Sequence, residues 1–433
     1  MQHIDSTTAR TLSISRLLSI TIMGFALGTV SATLEPALLG YKILELTPGH
    51  RNTILGFTTF VGLIVASVTQ PLMGSLSDRT QSRWGRRLPY LGSGVVFLII
   101  GLIWIVVAPT FALLLIGVVL LQLASNTVQG PWQALIPDYV PDQQLGLASG
   151  LKLLCEGFAA VVGRVVAGHL IGLVPVWGHA AVGAAIAVPA LCLLLGLAIT
   201  AYGIRSAPPD SPIVPRRSVR KAITLSFSVD LRTHPAFGWW FLNRLFFWSA
   251  MIAVSIFLLF YIIDVVGATA AEAQRFIGQA TAVLGGGLLL CAIPARRLID
   301  QLPRKTMVFV SGLIACVGTL VVLITREYVG LMIGGGLIVS GVGIYSISSW
   351  ALITTIVPRA EAARYLGIAN IATAIGSAIA RLIGGTLIDF VNVANGSKSI
   401  GYFIVYAIAA MLFLLSAFAV VPLRAARPVD PQV

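Results

Sequence analysis

Two constellations bring residue types capable of chemistry into an otherwise apolar chain. The first is LLQLASNTVQGPWQALIPD, residues 120–138. Gln122, Ser125, Asn126 and Gln129 recur there at helical spacing, and at about 100° per residue they fall on one face. Amide side chains offer donors and an acceptor together. A stripe of them suits a ligand rich in hydroxyl groups, or hydrogen bonding to a neighbouring helix. Trp132 adds a flat apolar face for a ring of the ligand or for packing. The second constellation is GSLSDRTQSRWGRRLPYL, residues 74–91. It crowds Asp78, Arg79, Arg83, Gly85, Arg86 and Arg87 into one short loop.

Long apolar runs flank both. Of 433 residues, 57% are hydrophobic and 10% charged, whereas a soluble domain carries about 25% charged residues. The balance is that of an integral membrane protein. Runs long enough to span a bilayer are expected at 15–39, 52–73, 88–108, 110–135, 146–173, 178–203, 236–263, 270–293, 305–325, 328–353, 364–390 and 399–423. The first is too long for a cleaved leader and reads as a spanning helix. The connections are mostly short, as in an antiparallel helical bundle. The longest break, Arg205 to Pro235, holds Arg216, Arg217, Arg220 and Lys221 and reads as a cytoplasmic linker. The expected division is 1–204, linker 205–235, and 236–433.

A net charge of +13 would suggest nucleic acid in a soluble protein. Here most of the 29 Lys and Arg residues fall in loops on the same side as 74–91. Positively charged loops face the cytoplasm, so the charge reports orientation, with both termini cytoplasmic and no nucleic-acid partner. The four cysteines, Cys155, Cys192, Cys291 and Cys316, lie in apolar runs and read as small hydrophobes.

The halves repeat. ALIPDYVP at 134–141 aligns with ALITTIVP at 351–358. The same offset places Gly150 on Gly367, Arg164 on Arg381, and Gly168 on Gly385. Two six-helix halves of the same topology are the plan of a secondary transporter, with its site between halves near the midplane. No phosphate-binding loop, metalloprotease or nucleophile-elbow motif is present. The chain is therefore expected to be no enzyme, to need no cofactor and to be driven by a gradient.

Ionisable residues inside spans are functional candidates. Glu35 and Glu156 are the acids expected there and are candidates for ion coupling. Glu156 lies one turn after Lys152 and can equally pair with it. Arg164 reaches a depth similar to Glu35, so the two can form an outer gate. In the second half, Asn243 and Arg244 lie in the seventh run and Arg381 in the eleventh. An intramembrane Arg suits an anionic group; Arg244 can equally snorkel to the cytoplasmic side, and Arg381, in the outer part of its run, is a candidate gating residue. Tyr345, Ser346, Ser348, Ser349 and Trp350 form a polar and aromatic cluster, which Asn370 can join.

The pattern G-x-L-S-D-R…G-R-R in the loop resembles the cytoplasmic signature of the major facilitator superfamily. Its longer form, S-D-R-x-x-S-R-W-G-R-R-x-P-Y, resembles that of the glycoside–pentoside–hexuronide:cation symporters and the sucrose:proton symporters. Residues 120–138 are similar to the fourth helix of the sucrose branch, and FFW…FYIIDVVG at 246–267 more weakly to its seventh. The resemblance implies an all-α fold of twelve spanning helices in two pseudo-symmetric bundles, working by alternating access. It also implies a small-molecule substrate, a sugar or glycoside, moved with a proton or sodium ion. In that branch an acid stands where this chain has Gln122. Glutamine cannot titrate, so neither that coupling mechanism nor the helix-2 and helix-4 acids of the sodium-coupled carriers carries across.

Asp78 is expected to meet the helix start near Ala363–Tyr365. Arg79, Arg83 and Arg86 are expected to pair with Asp138, forming a cytoplasmic latch with Gly85 at its turn; Arg87 reads as topology alone. Efflux of a hydrophobic or anionic metabolite, uniport or exchange, and a non-transporting sensor or assembly protein remain alternatives. The chain is expected to be a monomer in a prokaryotic inner membrane.

Overall fold

The computed structural model describes residues 11–47, 49–205, 235–287, 303–356 and 362–423. Within these, the apolar runs form helices, as lipid requires of backbone groups that have no water to bond. Eleven described helices are long and apolar enough to cross a membrane. Labelled in chain order, α1 runs Ile14–Thr33 and continues through Leu34–Leu38 to Leu39–Leu46. Next come α2 (Arg51–Arg79), α3 (Leu88–Val107), α4 (Phe111–Tyr139), α5 (Leu145–Ile171) and α6 (His179–Arg205). The second set is α7 (Pro235–Ile256), α8 (Ala270–Ala280), α9 (Arg304–Ile324), α10 (Tyr328–Ile356), α11 (Ala362–Ala394) and α12 (Ile400–Ala419). α8 adds a π-helical turn, Thr281–Gly285, and the rest of the expected eighth run lies mostly outside the described residues.

Two helices depart from the expected continuity. α1 breaks at Glu35, whose φ of −112° and ψ of 126° are extended. Pro36 is the cause: it lacks an N–H and excludes the helical region for the residue before it. α7 ends at Ile256 and is followed by a short turn, Leu258–Tyr261, and a π-helical turn, Ile262–Val266.

The apolar surfaces divide by solvent. On α3, Leu91, Leu98, Leu102 and Ile105 are buried, while Val96, Phe97, Ile100 and Ile103 are exposed. A large exposed apolar stripe is what a bilayer-facing helix presents.

The chain forms two compact units, Met1–Leu38 with Val61–Pro215, and Leu39–Phe60 with Arg216–Val433. The end of α1 and the start of α2 thus form a hairpin that belongs to the second unit. The boundary in α1 falls just after the break at Glu35. Apart from this hairpin, each unit holds one run of six helices. Close backbone approach seats the hairpin. Gly40 packs on Leu259, Gly56 lies against the Arg381 carbonyl, and Gly385 lies against the Asn52 carbonyl. A Cβ at Gly56 has no room against that backbone. Gly56→Ala is expected to cost about 1–3 kcal/mol, read as a lower unfolding temperature in detergent, while Gly49→Ala, in open space, leaves it unchanged.

Candidate functional site

In the first unit, α4 carries the amide stripe. Asn126 is buried, whereas Gln122, Ser125 and Gln129 are half-buried. Asn126 Nδ2 donates to the Gln122 carbonyl at 2.8 Å and to Gln122 Oε1 at 3.4 Å. Gln122 lies over Gly62 of α2, where the absent side chain leaves room for the amide. Nearby, Gln70 of α2 donates to Gln133 Oε1 at 3.1 Å, a polar bridge not anticipated from sequence. Asn126 therefore positions Gln122, and the half-buried amides are the ones placed to change partners.

Trp132 is a packing residue here. Its Nε1–H donates to the Ile20 carbonyl at 2.9 Å, and its ring lies against Gly24 of α1. The Lys152 ammonium sits 5.4 Å from the ring centroid and 3.7 Å from Glu156. Lys152 and Glu156 pair along α5, as their spacing suggested. Arg164 donates to the main-chain carbonyl of Glu35 at 3.0 Å. The break in α1 explains the contact, since an extended residue turns its carbonyl out of the helix ladder.

The Arg-rich loop is organised around Arg87, which sequence had assigned to topology alone. Arg87 immediately precedes α3, and its side chain is carried between the ends of α2 and α4. Its Nε donates to Asp138 at 3.0 Å and its Nη2 reaches Asp78 at 2.5 Å. Its Nη1 meets Ser77 Oγ and the Gly74 carbonyl. Arg86 joins Asp138 at 2.6 Å. Arg79 and Arg83, expected on Asp138, precede the turn and are exposed; Arg83 lies over the Trp84 ring. Gly85 makes the turn with φ of 84°, a left-handed conformation that favours glycine. The side chains of Ala363–Tyr365, the expected partners of Asp78, lie outside the described residues.

In the second unit, Asn243 is the hub of a closed buried network. It donates to the Ser416 carbonyl at 2.8 Å and to Ser416 Oγ at 2.9 Å, and accepts from the Tyr345 hydroxyl at 2.9 Å. Tyr345 stacks on Phe247. The Ser349 carbonyl accepts from Trp240 Nε1 at 3.2 Å. Beside this network, Arg244 donates to Thr373 Oγ1 at 2.9 Å. Its guanidinium lies 4.7 Å from the Trp350 centroid and 5.5 Å from that of Trp240. Asn243, Tyr345 and Ser349 are fully buried and frame the indole-flanked Arg244. Asn370 is exposed. Arg381 is met by the hairpin through its backbone.

A polar cluster that sequence reading passed over joins the hairpin to the rest of the second unit: Arg51, Asn52, Asp264, Asp389 and Tyr402. Asp264 and Asp389 stand near helix ends, where charge is ordinary, so spacing alone gave no signal.

These features can be set beside known proteins. The family model for MFS/sugar transport proteins matches residues 19–421, and the chain belongs to this family. It is thus a multi-pass membrane protein of the major facilitator type. The human membrane-associated transporter protein is 29% identical over 154 residues, covering 32% of this chain and 28% of that protein. The sucrose transport protein SUT1 of Oryza sativa subsp. japonica is 30% identical over 155 residues, covering 30% of this chain and 28% of that protein. The match to these relatives thus spans under a third of their length. Among solved structures, the nucleoside transporter NupG superposes with a TM-score of 0.71 at 12% identity, covering 94% of this chain and 99% of that one. A D-xylose–proton symporter gives 0.68 at 15%, covering 94% and 96%. These likenesses carry the fold.

Proposed function

We propose that this transporter moves a sugar or glycoside by alternating access, coupled to a proton or sodium ion. The half-buried amide stripe Gln122, Ser125 and Gln129, held by Asn126, carries the reading. It supplies donors and acceptors along one face of a spanning helix and lacks the fixed charge that a hydroxyl-rich neutral ligand does not need. Family membership and the partial match to a sucrose transport protein support it. The Arg-rich loop faces the cytoplasm in this reading, by the positive-inside rule. The monomer in a prokaryotic inner membrane and the division 1–204, 205–235 and 236–433 belong to the same proposal. Among the acids, Glu156 is the first candidate for coupling, since Lys152 is its sole ion-pair partner among the described residues.

Position 122 tests the coupling. A carboxyl placed there, beside Gly62, puts a titratable group at the level where the resembled pattern has its acid. Gln122→Asp is expected to make sugar uptake into proteoliposomes rise as the external pH falls. The parent protein is expected to show a weaker dependence. Unchanged pH profiles contradict a site at this level of α4.

Arg244 supports a second reading. A guanidinium flanked by Trp240 and Trp350 suits a planar or anionic group, as in efflux of an anionic metabolite. Retained sugar uptake in Arg244→Gln, with organic-anion efflux lost, favours that reading.

A further inference from the structure

Packing at one point of the first unit carries an ion pair into the membrane. Gly24 of α1 has no side chain, and the space beside it is taken by the Trp132 indole of α4 and by the Glu156 side chain of α5; a Cβ there would meet the indole at 2.7 Å. The indole is fixed by its hydrogen bond to the Ile20 carbonyl. The Lys152 ammonium stands 5.4 Å from the centroid of the same ring and 3.7 Å from the Glu156 carboxylate, one turn along α5.

This pair is built unlike the ion pairs of the Arg-rich loop. Its separation exceeds the about 2.7–2.9 Å of a direct charge-assisted hydrogen bond, whereas Arg86 meets Asp138 at 2.6 Å. The Lys152 and Glu156 side chains are 23% and 33% exposed, whereas Arg87 and Asp138 are buried. Its depth also differs. At 1.5 Å per residue, Glu156 lies about 3 Å from the middle of α5 and Gln129 about 6 Å from the middle of α4, both towards the α4–α5 connection. The pair therefore stands near the level of the amide stripe, one turn of α4 away from Gln129. Ionisable side chains at such depth, open to a guest, mark the path of a solute or ion.

The arrangement has a definite chemical complement. An ammonium only donates hydrogen bonds and a carboxylate only accepts them. A hydroxyl does both: its O–H donates to Glu156 while its oxygen accepts from Lys152. A simple anion meets repulsion from Glu156, and a simple cation meets it from Lys152, so a neutral hydroxyl suits the pair best. We propose that Lys152 and Glu156 hold one hydroxyl of the transported sugar between their charges, with the Trp132 ring keeping the ammonium in place. This rests on the sugar reading of the proposed function and adds a contact outside α4. The acid favoured for coupling then touches the ligand directly. Lys152 and Glu156 set specificity by position, because a site built around a hydroxyl discriminates against the analogue that lacks it.

The test is equilibrium binding to the full chain in lipid nanodiscs, with no ion gradient. The probes are sucrose and its monodeoxy analogues, with methyl α-glucoside as a second sugar. For the parent, at least one deoxy position is expected to weaken binding about 10- to 100-fold through loss of this contact. Combining Lys152→Met with Glu156→Met removes both charges and leaves neither unpaired. That variant is expected to bind sucrose more weakly by a similar factor and to bind sucrose and that one analogue alike. Penalties at the other hydroxyls are expected to persist, which shows that the rest of the site is intact. Glu156→Gln, closer in shape, is expected to shrink the same penalty and no other. Deoxy penalties that stay as in the parent at every position, in both variants, overturn the proposal. So does a loss spread evenly over all positions, which is what a purely structural pair gives. In both of those cases the parent still binds sugar and the proposed function stands. No binding of sucrose or methyl α-glucoside by the parent contradicts the proposed function, and this contact falls with it.

Discussion

Arg87→Ala is expected to be the most destabilising single change in the Arg-rich loop, costing about 1.5–3 kcal/mol. Arg87 is 3% exposed and Asp138 8%. Its guanidinium ties the end of α2, through Gly74, Ser77 and Asp78, to the end of α4 at Asp138. Removing it leaves two carboxylates together, with Arg86 their remaining described cation. Asp138, the buried carboxylate, keeps Arg86, and Asp78 is exposed, so the loss is that of the buried hydrogen bonds of Arg87 to Ser77, the Gly74 carbonyl and Asp138. Arg87→Lys is expected to recover only part of the loss, since an ammonium cannot reach Asp78 and Asp138 with a planar fork. Arg79→Ala, at an exposed position, is expected within about 0.5 kcal/mol of the parent. Thermal unfolding of the three purified variants in one detergent measures the order. Equal unfolding temperatures for Arg87→Ala and Arg79→Ala contradict this account of the loop.

Gln122→Leu is expected to reduce sugar uptake by about 10- to 100-fold. The leucine removes a donor and an acceptor from the stripe, and a hydrogen bond left unmade in a desolvated site costs about 1–3 kcal/mol. Asn126→Leu is expected to reach a similar loss by another route. Asn126 is buried and bonds the Gln122 carbonyl at 2.8 Å and its side-chain oxygen at 3.4 Å, so its removal takes away a described hydrogen bond on the Gln122 side chain. The contrast is in the kinetics. Gln122→Leu raises the half-saturation concentration directly. Asn126→Leu also lowers thermal stability, because it forces a larger branched side chain into a packed position. Uptake series over sugar concentration, together with unfolding temperatures, separate the two.

Much of the fold could be read from hydrophobicity. The expected runs 88–108 and 146–173 correspond to Leu88–Val107 and Leu145–Ile171, because a bilayer leaves the backbone few other solutions. Pro36 is plain in the first apolar run, but that run reads as one continuous helix, and the break at Glu35 needed coordinates. Side-chain partnerships were harder to read. Charge counting identified the Arg-rich loop, but which arginine enters the gap between α2 and α4 depends on the direction of the chain after Gly85. Asn243 and Tyr345 read as candidate substrate contacts within spanning runs, yet Ser416 of α12, distant in sequence, closes their network. Asp389 and Asn52 are far apart in the chain and lie near helix ends, so no local spacing announced their contact. Gln122 stood out because a related pattern places an acid there, and the structure gives that position a room-making glycine and a supporting asparagine.

The central claim is concentrative, ion-coupled movement of a sugar through this protein. The direct measurement is accumulation of radiolabelled sucrose, and of a small panel of glycosides, in proteoliposomes holding the purified full chain. Inward proton and sodium gradients are imposed separately, with a no-gradient control. The account predicts that at least one sugar accumulates above its external concentration under one of the two gradients, and only equilibrates without it. Contradiction would be sugar entry that never exceeds equilibration under either gradient, or no entry beyond that of empty vesicles.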